Sequence, residues 1–313
     1  MITAGDVNGD GLDDLLLVDS GYVVFPSAGA GVDPAVAGNP PIGRAYLLTG
    51  RTATGVNLLL DANFFLLGTP VPELIIQDFS LGGSLAALGD LNRDGYDDFA
   101  IGANREGRPS DQSDTTREGG LFIFLGKADW GTNTAVLSAQ TADISVAREV
   151  LEDIPTDIVY TGTLTATAGD FNGDGRMDLA VGETSRVAIG KGGGGVLEQD
   201  DRGQVGVFFS VMERGSRLAL TEANARLTGQ FEFDRLGTLS VTAGMDLDGD
   251  RIDDLVIGAA GADVVTDDLI PAGGKAYVVY GASSKAALPP TAQTLANRTF
   301  TGSGDFLVDN GTG

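Results

Sequence analysis

Residues 4–15 are Ala4-Gly5-Asp6-Val7-Asn8-Gly9-Asp10-Gly11-Leu12-Asp13-Asp14-Leu15, and three further stretches repeat this pattern of acidic residues and glycines. The related stretches are residues 88–99, 168–179 and 244–255, and their first aspartates are Asp90, Asp170 and Asp246. Consecutive loops are separated by 84, 80 and 76 residues, so four units account for nearly all of the 313 residues. A repeat of this size indicates an architecture assembled from similar supersecondary units.

Each unit is predicted to contain four short strands, because a Ser-, Thr- and Ala-rich stretch precedes most of the loops and apolar or aromatic runs follow them. The runs directly after the loops are Leu15–Val18, Phe99–Gly102, Leu179–Gly182 and Leu255–Gly258. The third runs are Arg44–Leu48, Leu121–Leu125, Val205–Phe209 and Lys275–Tyr280. The weaker fourth runs are Val56–Leu60, Ala135–Leu137, Leu218–Leu220 and Leu295–Thr301. No stretch has the sustained periodicity of a capped helix.

Four-stranded units that recur along a chain are typical of the blades of a β-propeller. A β-sandwich or a solenoid is the alternative, but a sandwich does not repeat a four-stranded unit with an embedded loop. We therefore expect an all-β fold, a β-propeller of four-stranded antiparallel blades, either complete or part of a larger ring. The expected single domain spans residues 1–313, with repeats at about 1–80, 81–160, 161–235 and 236–313.

The repeated loops have the spacing of oxygen ligands for a metal ion. When the first Asp is position 1, side-chain oxygens occur at positions 1, 3, 5 and 9, and position 7 can offer its backbone carbonyl. Position 7 therefore tolerates different side chains. The predicted ligands are Asp6, Asn8, Asp10, Leu12 and Asp14; Asp90, Asn92, Asp94, Tyr96 and Asp98; Asp170, Asn172, Asp174, Arg176 and Asp178; and Asp246, Asp248, Asp250, Ile252 and Asp254.

Calcium is the ion that this ligand set favours, because Ca²⁺ tolerates many oxygen ligands in flexible geometry better than Mg²⁺ does. An EF-hand is excluded, since its position 12 is a bidentate Glu and here that position is Leu17, Ile101, Val181 or Ile257. Position 6 is Gly in three loops and Arg251 in the fourth, where we expect a strained turn. The sequence thus predicts about four Ca²⁺ ions, each at a bend between two strands.

The amino-acid composition excludes several kinds of site and disfavours some classes of partner. The chain has no cysteine and no histidine, which excludes disulfides, thiolate metal sites and histidine general bases. It has 44 acidic and 20 basic residues, for a net charge of −24, so nucleic acid is an unfavourable partner. No run of 18 apolar residues is present, so direct membrane insertion is not expected. The start of the chain lacks a signal peptide, and we expect the chain to be part of a larger polypeptide.

The four Asp-x-Asn/Asp-x-Asp loops, each with its trailing Asp, resemble the FG-GAP repeats of integrin α-subunit propellers and their bacterial relatives. The trailing signature of Asp-Leu, an apolar pair and Gly-Ala is represented by Asp98–Ala103, Asp178–Gly182 and Asp254–Ala259. The first repeat departs from this trailing signature, with Val18-Asp19 in place of Gly-Ala. The Phe-Gly pair of the family is replaced by Leu81-Gly82 and Leu236-Gly237. The resemblance also implies seven blades with shorter repeats, as integrin-type propellers usually have, and four units of about 80 residues do not match that. From the calcium loops we expect a non-catalytic adhesion or recognition module.

Partner binding is expected on the long connections between second and third strands, opposite the calcium loops, because loops on a rigid scaffold commonly carry recognition. The candidate contacts are Arg105, Arg108, Arg117, Arg186 and Lys191. We expect an extracellular or cell-surface location, where millimolar calcium can fill weak loops, and a protein or carbohydrate ligand. The alternatives are a secreted polysaccharide-active enzyme, such as a calcium-assisted lyase or its accessory module, and a structural spacer in a large surface protein.

Overall fold

The fold was analysed in a computed structural model, in which the larger described segments are residues 1–19, 81–103, 120–130, 164–183, 213–229 and 234–262. The shorter ones are 44–50, 64–67, 135–138, 142–147, 158–161, 186–190, 196–200, 202–209, 231, 274–282, 298–302 and 306–309. In these segments the structure is all-β apart from one turn of 3-10 helix at Leu220–Glu222. None of the described helical structure is long and apolar enough to cross a membrane.

The strands follow one another along the chain in short segments. In chain order they are β1 (Ile2–Gly5), β2 (Asp14–Asp19), β3 (Arg44–Leu48), β4 (Phe64–Leu67), β5 (Leu81–Gly89), β6 (Asp98–Ala103), β7 (Gly120–Phe124), β8 (Ala135–Ser138), β9 (Ile144–Ala147), β10 (Ile158–Thr161), β11 (Leu164–Gly169), β12 (Asp178–Glu183), β13 (Arg186–Gly190), β14 (Val196–Asp200), β15 (Gln204–Phe208), β16 (Arg217–Ala219), β17 (Ala225–Thr228), β18 (Leu236–Met245), β19 (Asp254–Ala259), β20 (Lys275–Val279), β21 (Arg298–Gly302) and β22 (Phe306–Asp309).

Four antiparallel blades emerge from the pairing of these strands. Blade 1 has the order β1-β2-β3-β4, blade 2 β5-β6-β7-β9 and blade 3 β11-β12-β15-β17. Blade 4 has the order β18-β19-β20-β21, and β22 pairs antiparallel with β21 as a fifth strand of that sheet. In every blade the repeated loop connects the first and second strands, as the sequence predicts. The second and third strands of each blade overlap the predicted runs, because buried strands with continuous apolar sequence are recognisable locally. The predicted all-β, four-stranded blades are confirmed.

The fourth strands differ from the prediction in two blades. The run Ala135–Leu137 forms β8, but β8 pairs in parallel with β4 of blade 1, and β9 is the outer strand of blade 2. The run Leu218–Leu220 overlaps β16, which lies beside β9 of blade 2, whereas β17 is the outer strand of blade 3. In both cases the connection between third and fourth strands contributes an extra strand to the preceding blade. The fourth run of blade 1, Val56–Leu60, lies outside the described residues, and that of blade 4 overlaps β21.

The connection between β12 and β15 is not the simple long loop that we predicted. It contains β13 and β14, which pair antiparallel and form a three-stranded sheet with β10. The corresponding connections of blades 1, 2 and 4 lie mostly outside the described residues. A hairpin here satisfies backbone N–H and C=O groups within the connection itself.

The chain divides into two compact units. Unit 1 comprises Met1–Arg148, Ile154–Val159 and Glu213–Leu218, and unit 2 comprises Glu149–Asp153, Tyr160–Met212 and Ala219–Gly313. In the core of unit 1, Phe99 stacks on Phe124 with ring centroids 5.5 Å apart and meets Trp130 edge-on at 5.3 Å. The expected single domain and its repeat boundaries stay predictions.

The core of unit 2 lies between blades 3 and 4. It includes Val205 and Leu227 of blade 3 together with Leu255, Ile257 and Tyr277 of blade 4. The central strands β6 and β12 are buried along their whole length, which explains why their sequences are apolar without alternation. The loops that directly precede β6 and β12 are therefore attached to fully buried strands.

Candidate metal centres

The four loops have the same backbone geometry around position 1. Its carboxylate accepts hydrogen bonds from the N–H groups of positions 5 and 6, so the chain curls around the carboxylate in an Asx-type turn. The position 5 donors are 3.0, 2.9, 3.0 and 3.0 Å from Asp6, Asp90, Asp170 and Asp246. The position 6 donors are 2.8, 2.9, 2.8 and 2.8 Å from the same aspartates. The loops are therefore one structural motif in four copies.

Positions 4 and 6 adopt left-handed backbone conformations in every loop. Glycine occupies most of them, but Arg93 has a φ of 62° at position 4 and Arg251 a φ of 73° at position 6. The strain that the sequence predicts at Arg251 is present, because a residue with a Cβ is disfavoured in this region. The requirement for Gly at position 6 comes from the backbone angle alone, since a Cβ at Gly11 or Gly95 would meet no atom within 4 Å.

Position 9 is the buried end of each loop. Asp14, Asp98, Asp178 and Asp254 are at most 1% exposed, and each accepts a hydrogen bond from the N–H of position 2 at 2.6–3.1 Å. Three of them accept a second bond from the glycine that follows the third strand, at 2.7 Å from Gly50, 2.7 Å from Gly126 and 3.0 Å from Gly281. These bonds hold the carboxylate at the base of the loop.

Removal from water raises the pKa of two position 9 carboxylates, Asp14 and Asp98. Burial raises the pKa of Asp98 to about 7 and that of Asp14 to about 6, although their backbone donors act in the opposite direction. The neighbouring carboxylates at positions 5 and 1 raise both pKa values further. A divalent cation would reverse this effect, because its charge favours the ionised form.

Three carboxylates of loop 4 lie close together. Oxygens of Asp246, Asp248 and Asp254 lie within 4.8 Å of one another, a spacing that one cation can bridge. In the other loops position 3 is Asn, whose oxygen can serve in the same place. This all-oxygen donor set fits Ca²⁺. Asn8 and Asn92 donate to the carboxylates of Asp10 and Asp94, whereas the Nδ2 atom of Asn172 is buried with no hydrogen-bond partner among the described residues.

Positions 5 and 7 are linked within each loop. The position 5 carboxylate accepts the N–H of position 7 at 2.9, 3.1, 2.9 and 2.8 Å in loops 1 to 4, donated by Leu12, Tyr96, Arg176 and Ile252. The four side chains at position 7 range from exposed Leu12 to buried Ile252. That range is consistent with a position that would contribute only its backbone.

Position 8 makes a contact between two loops that the sequence analysis missed. The carboxylate of Asp97 in loop 2 accepts the N–H of Asp6 in loop 1 at 2.9 Å, and the N–H of Asp97 donates to the carbonyl of Asp6 at 3.1 Å. Asp253 and Asp170 form the same pair of bonds in unit 2, at 2.8 and 3.0 Å. A sequence signal existed, because three of the four loops carry Asp at both positions 8 and 9.

The predicted partner-binding residues are mostly outside the described residues, namely Arg105, Arg108, Arg117 and Lys191. Arg186 is the first residue of β13, in the hairpin between β12 and β15. Arg186 was predicted to lie in a loop, and the structure places it in a strand instead. The role of Arg186 in partner binding stays a prediction.

Comparison with known proteins supports the family resemblance. The family model described as FG-GAP repeat matches residues 81–121 and 162–208, which contain loops 2 and 3. Phosphatidylinositol-glycan-specific phospholipase D of Mus musculus is 28% identical over 244 residues, or 76% of this chain and 23% of that protein. Integrin alpha-IIb of Mus musculus is 35% identical over 191 residues, or 60% of this chain and 15% of that protein.

Integrin alpha-11 of Homo sapiens is similar over a comparable stretch, with 28% identity over 190 residues, or 60% of this chain and 12% of that protein. The chain thus spans about a quarter or less of the length of these curated relatives. The chain contains FG-GAP repeats and is similar to integrin alpha chains, which confirms the predicted resemblance.

Proposed function

We propose that this chain of FG-GAP repeats is a calcium-stabilised, non-catalytic recognition module that binds an extracellular protein or carbohydrate. The observation that carries the proposal is the identical curl of four loops around the position 1 carboxylate, with the position 9 carboxylate buried beneath it. Similarity to integrin alpha chains supports an adhesion role. Each loop would use positions 1, 3, 5 and 9 and the carbonyl of position 7 to hold one Ca²⁺.

Calcium would serve the fold in this proposal. Without a cation, three or four carboxylates crowd each loop, and their repulsion opposes the folded state. The raised pKa values of Asp14 and Asp98 are consistent with such crowding and burial. An ion that binds only the folded chain stabilises it by mass action. The blades would then present their connections as a rigid surface for a partner.

The proposal includes an extracellular location, because loops of this kind would bind calcium weakly enough to need millimolar concentrations. The chain's strong negative charge makes a nucleic-acid ligand unfavourable. A binding screen against proteins and glycans, with and without calcium, would identify the class of ligand.

A second candidate function is that of a non-catalytic part of a longer enzyme. The observation that favours it is the 28% identity to phosphatidylinositol-glycan-specific phospholipase D, which extends over 76% of this chain. Because the chain corresponds to 23% of that protein, the similarity concerns a part of the enzyme. In this case the calcium loops would have the same stabilising role, and the partner would be another domain of the same polypeptide.

Calorimetric calcium titration tests the proposal. We expect about four Ca²⁺ ions per chain, and one fewer for Asp170→Ala, which removes the central carboxylate of loop 3. The matched control is Asp129→Ala, because Asp129 is an equally charged but exposed residue outside the loops. Calcium binding that is absent in the parent, or unchanged in Asp170→Ala, would contradict the proposal. A glycan and matrix-protein array in calcium and in EDTA then tests recognition.

A further inference from the structure

The position 8 aspartates connect two loops that are far apart in sequence. Asp97 stands between Tyr96 and Asp98, the position 7 and position 9 residues of loop 2. Its side chain and its backbone N–H both bond to Asp6, the position 1 residue of loop 1, which is 91 residues away. One residue therefore connects predicted ligand residues of two different loops.

Neighbouring contacts make this connection rigid. The N–H of Lys127, which follows the third strand of blade 2, donates to the carbonyl of Val7 in loop 1 at 2.9 Å. A Cβ placed at Gly5 would lie 2.1 Å from the Asp97 carboxylate, so the absence of a side chain there permits the close approach. The contact is thus built from both sides, by a glycine in one blade and an aspartate in the next.

Unit 2 contains an independent copy of the arrangement. Asp253 stands between Ile252 and Asp254 in loop 4, and it bonds to both the N–H and the carbonyl of Asp170 in loop 3. The N–H of Ala282 donates to the carbonyl of Phe171 at 3.1 Å, as Lys127 does in unit 1. Two occurrences with the same partners make an accidental contact a poor explanation.

We propose that Asp97 and Asp253 couple cation binding between loops 1 and 2 and between loops 3 and 4. This inference rests on the proposed calcium binding and extends it, because the coupling residues are not ligands. A cation in loop 2 orders Tyr96 and Asp98, and Asp97 between them then holds Asp6 in its ligand position. The second ion meets a loop that is already ordered, so it loses less conformational entropy on binding. Linkage requires the effect to be reciprocal.

The coupling is expected in two pairs. Loop 3 has Met177 at position 8, so it has no carboxylate there with which to hold another loop. Asp13 has the right chemistry at position 8 of loop 1, but it is exposed and makes no hydrogen bond to another described residue. Asp13 is therefore the natural control, since it has the same charge and loop position without the contact.

The test is a double-mutant cycle read by Tb³⁺ luminescence, with Tb³⁺ as the calcium analogue. Leu12→Trp places a sensitiser at position 7 of loop 1, where side chains vary, and the signal of the chain without this change is subtracted. Disabling loop 2 with Asp94→Ala is expected to raise the half-saturating Tb³⁺ concentration at loop 1 about fivefold or more, the usual range for coupled sites. In an Asp97→Ala background the same change should produce less than about a twofold shift.

Two further variants separate the contact from charge and folding. Asp13→Ala should leave the shift intact, and Asp97→Asn, which keeps a hydrogen-bond acceptor, should retain most of it. If Asp97→Ala preserves the shift, or if in the parent the Tb³⁺ affinity of loop 1 does not depend on loop 2, the proposed coupling is wrong, while calcium binding by the loops still stands. If the parent binds no Tb³⁺, the proposed function fails and the inference fails with it.

Discussion

The carboxylate of Asp98 accepts a hydrogen bond at 2.7 Å from the backbone N–H of Gly126, 28 residues further along the chain. This bond connects the buried end of loop 2 to Gly126, which lies two residues after the end of β7. Asp14 with Gly50 and Asp254 with Gly281 are related in the same way, so the link between loop and third strand is a property of the repeat.

Replacement of Gly126 by alanine is expected to destabilise the protein. A Cβ there would lie 2.5 Å from the carbonyl oxygen of Asp97, 2.5 Å from the Cβ of Tyr96 and 2.9 Å from the carbonyl oxygen of Val7. Relief of such contacts requires backbone movement, and we expect a loss of roughly 1–3 kcal/mol in the free energy of unfolding. Chemical denaturation measures it, with Asp13→Ala at an exposed loop residue as control. An unchanged midpoint would show that the junction is looser than described.

Replacement of Arg251 by glycine is expected to stabilise loop 4. Arg251 has a φ of 73°, and relief of the left-handed strain is worth about 1 kcal/mol. The backbone N–H of Arg251 is the main cause that lowers the pKa of Asp246, and the Arg251 charge acts in the same direction. Because that positive charge also repels a cation, its removal should strengthen calcium binding at the same loop. Thermal unfolding and calcium titration of Arg251→Gly measure the two effects. Arg251→Ala serves as control, since it removes the charge but retains a Cβ and hence most of the strain.

Stability in the absence of calcium is expected to fall as pH rises from about 4 to above 7. The pKa of Asp98 is raised from 3.8 to about 7 and that of Asp14 to about 6, so the folded chain holds these protons more tightly than the unfolded chain. Their stabilising contribution is complete below about pH 4 and is lost as pH passes through 6 and 7. Melting curves in EDTA at several pH values measure it, and Asp98→Asn should flatten the profile. A rising profile whose slope Asp98→Asn leaves unchanged would contradict the assignment.

Calcium removal is expected to lower the melting temperature. A single site with calcium at about 100 times its dissociation constant contributes about 2.7 kcal/mol to the stability of the folded state. Scanning calorimetry in calcium and in EDTA measures the loss. Magnesium should restore less of it, because Mg²⁺ dehydrates reluctantly and requires stricter octahedral geometry. Equal melting temperatures in calcium and EDTA would show that calcium in the loops does not stabilise the fold.

Much of the repeat could be predicted because its signals are local. Asp90 and Asp98 lie in one short loop. The alternation of oxygen-bearing side chains with glycines can be recognised there without information from any other blade. The apolar strands β6 and β12 are buried along their whole length, so their composition alone identified them as strands. The same reasoning failed for Ala135–Leu137, which does form a strand but in the neighbouring sheet.

The sequence by itself determined the fold class, the four loops and the residues that could ligate calcium, because these depend on residue types at short spacing. Only the tertiary structure decided that β8 and β16 extend the preceding blades and that Asp97 and Asp253 join one loop to the next. Strand partners and contacts such as Asp97 with Asp6 are relations between segments far apart in sequence. A β-strand has the same alternating geometry whichever sheet it joins, so its own residues do not specify its neighbour.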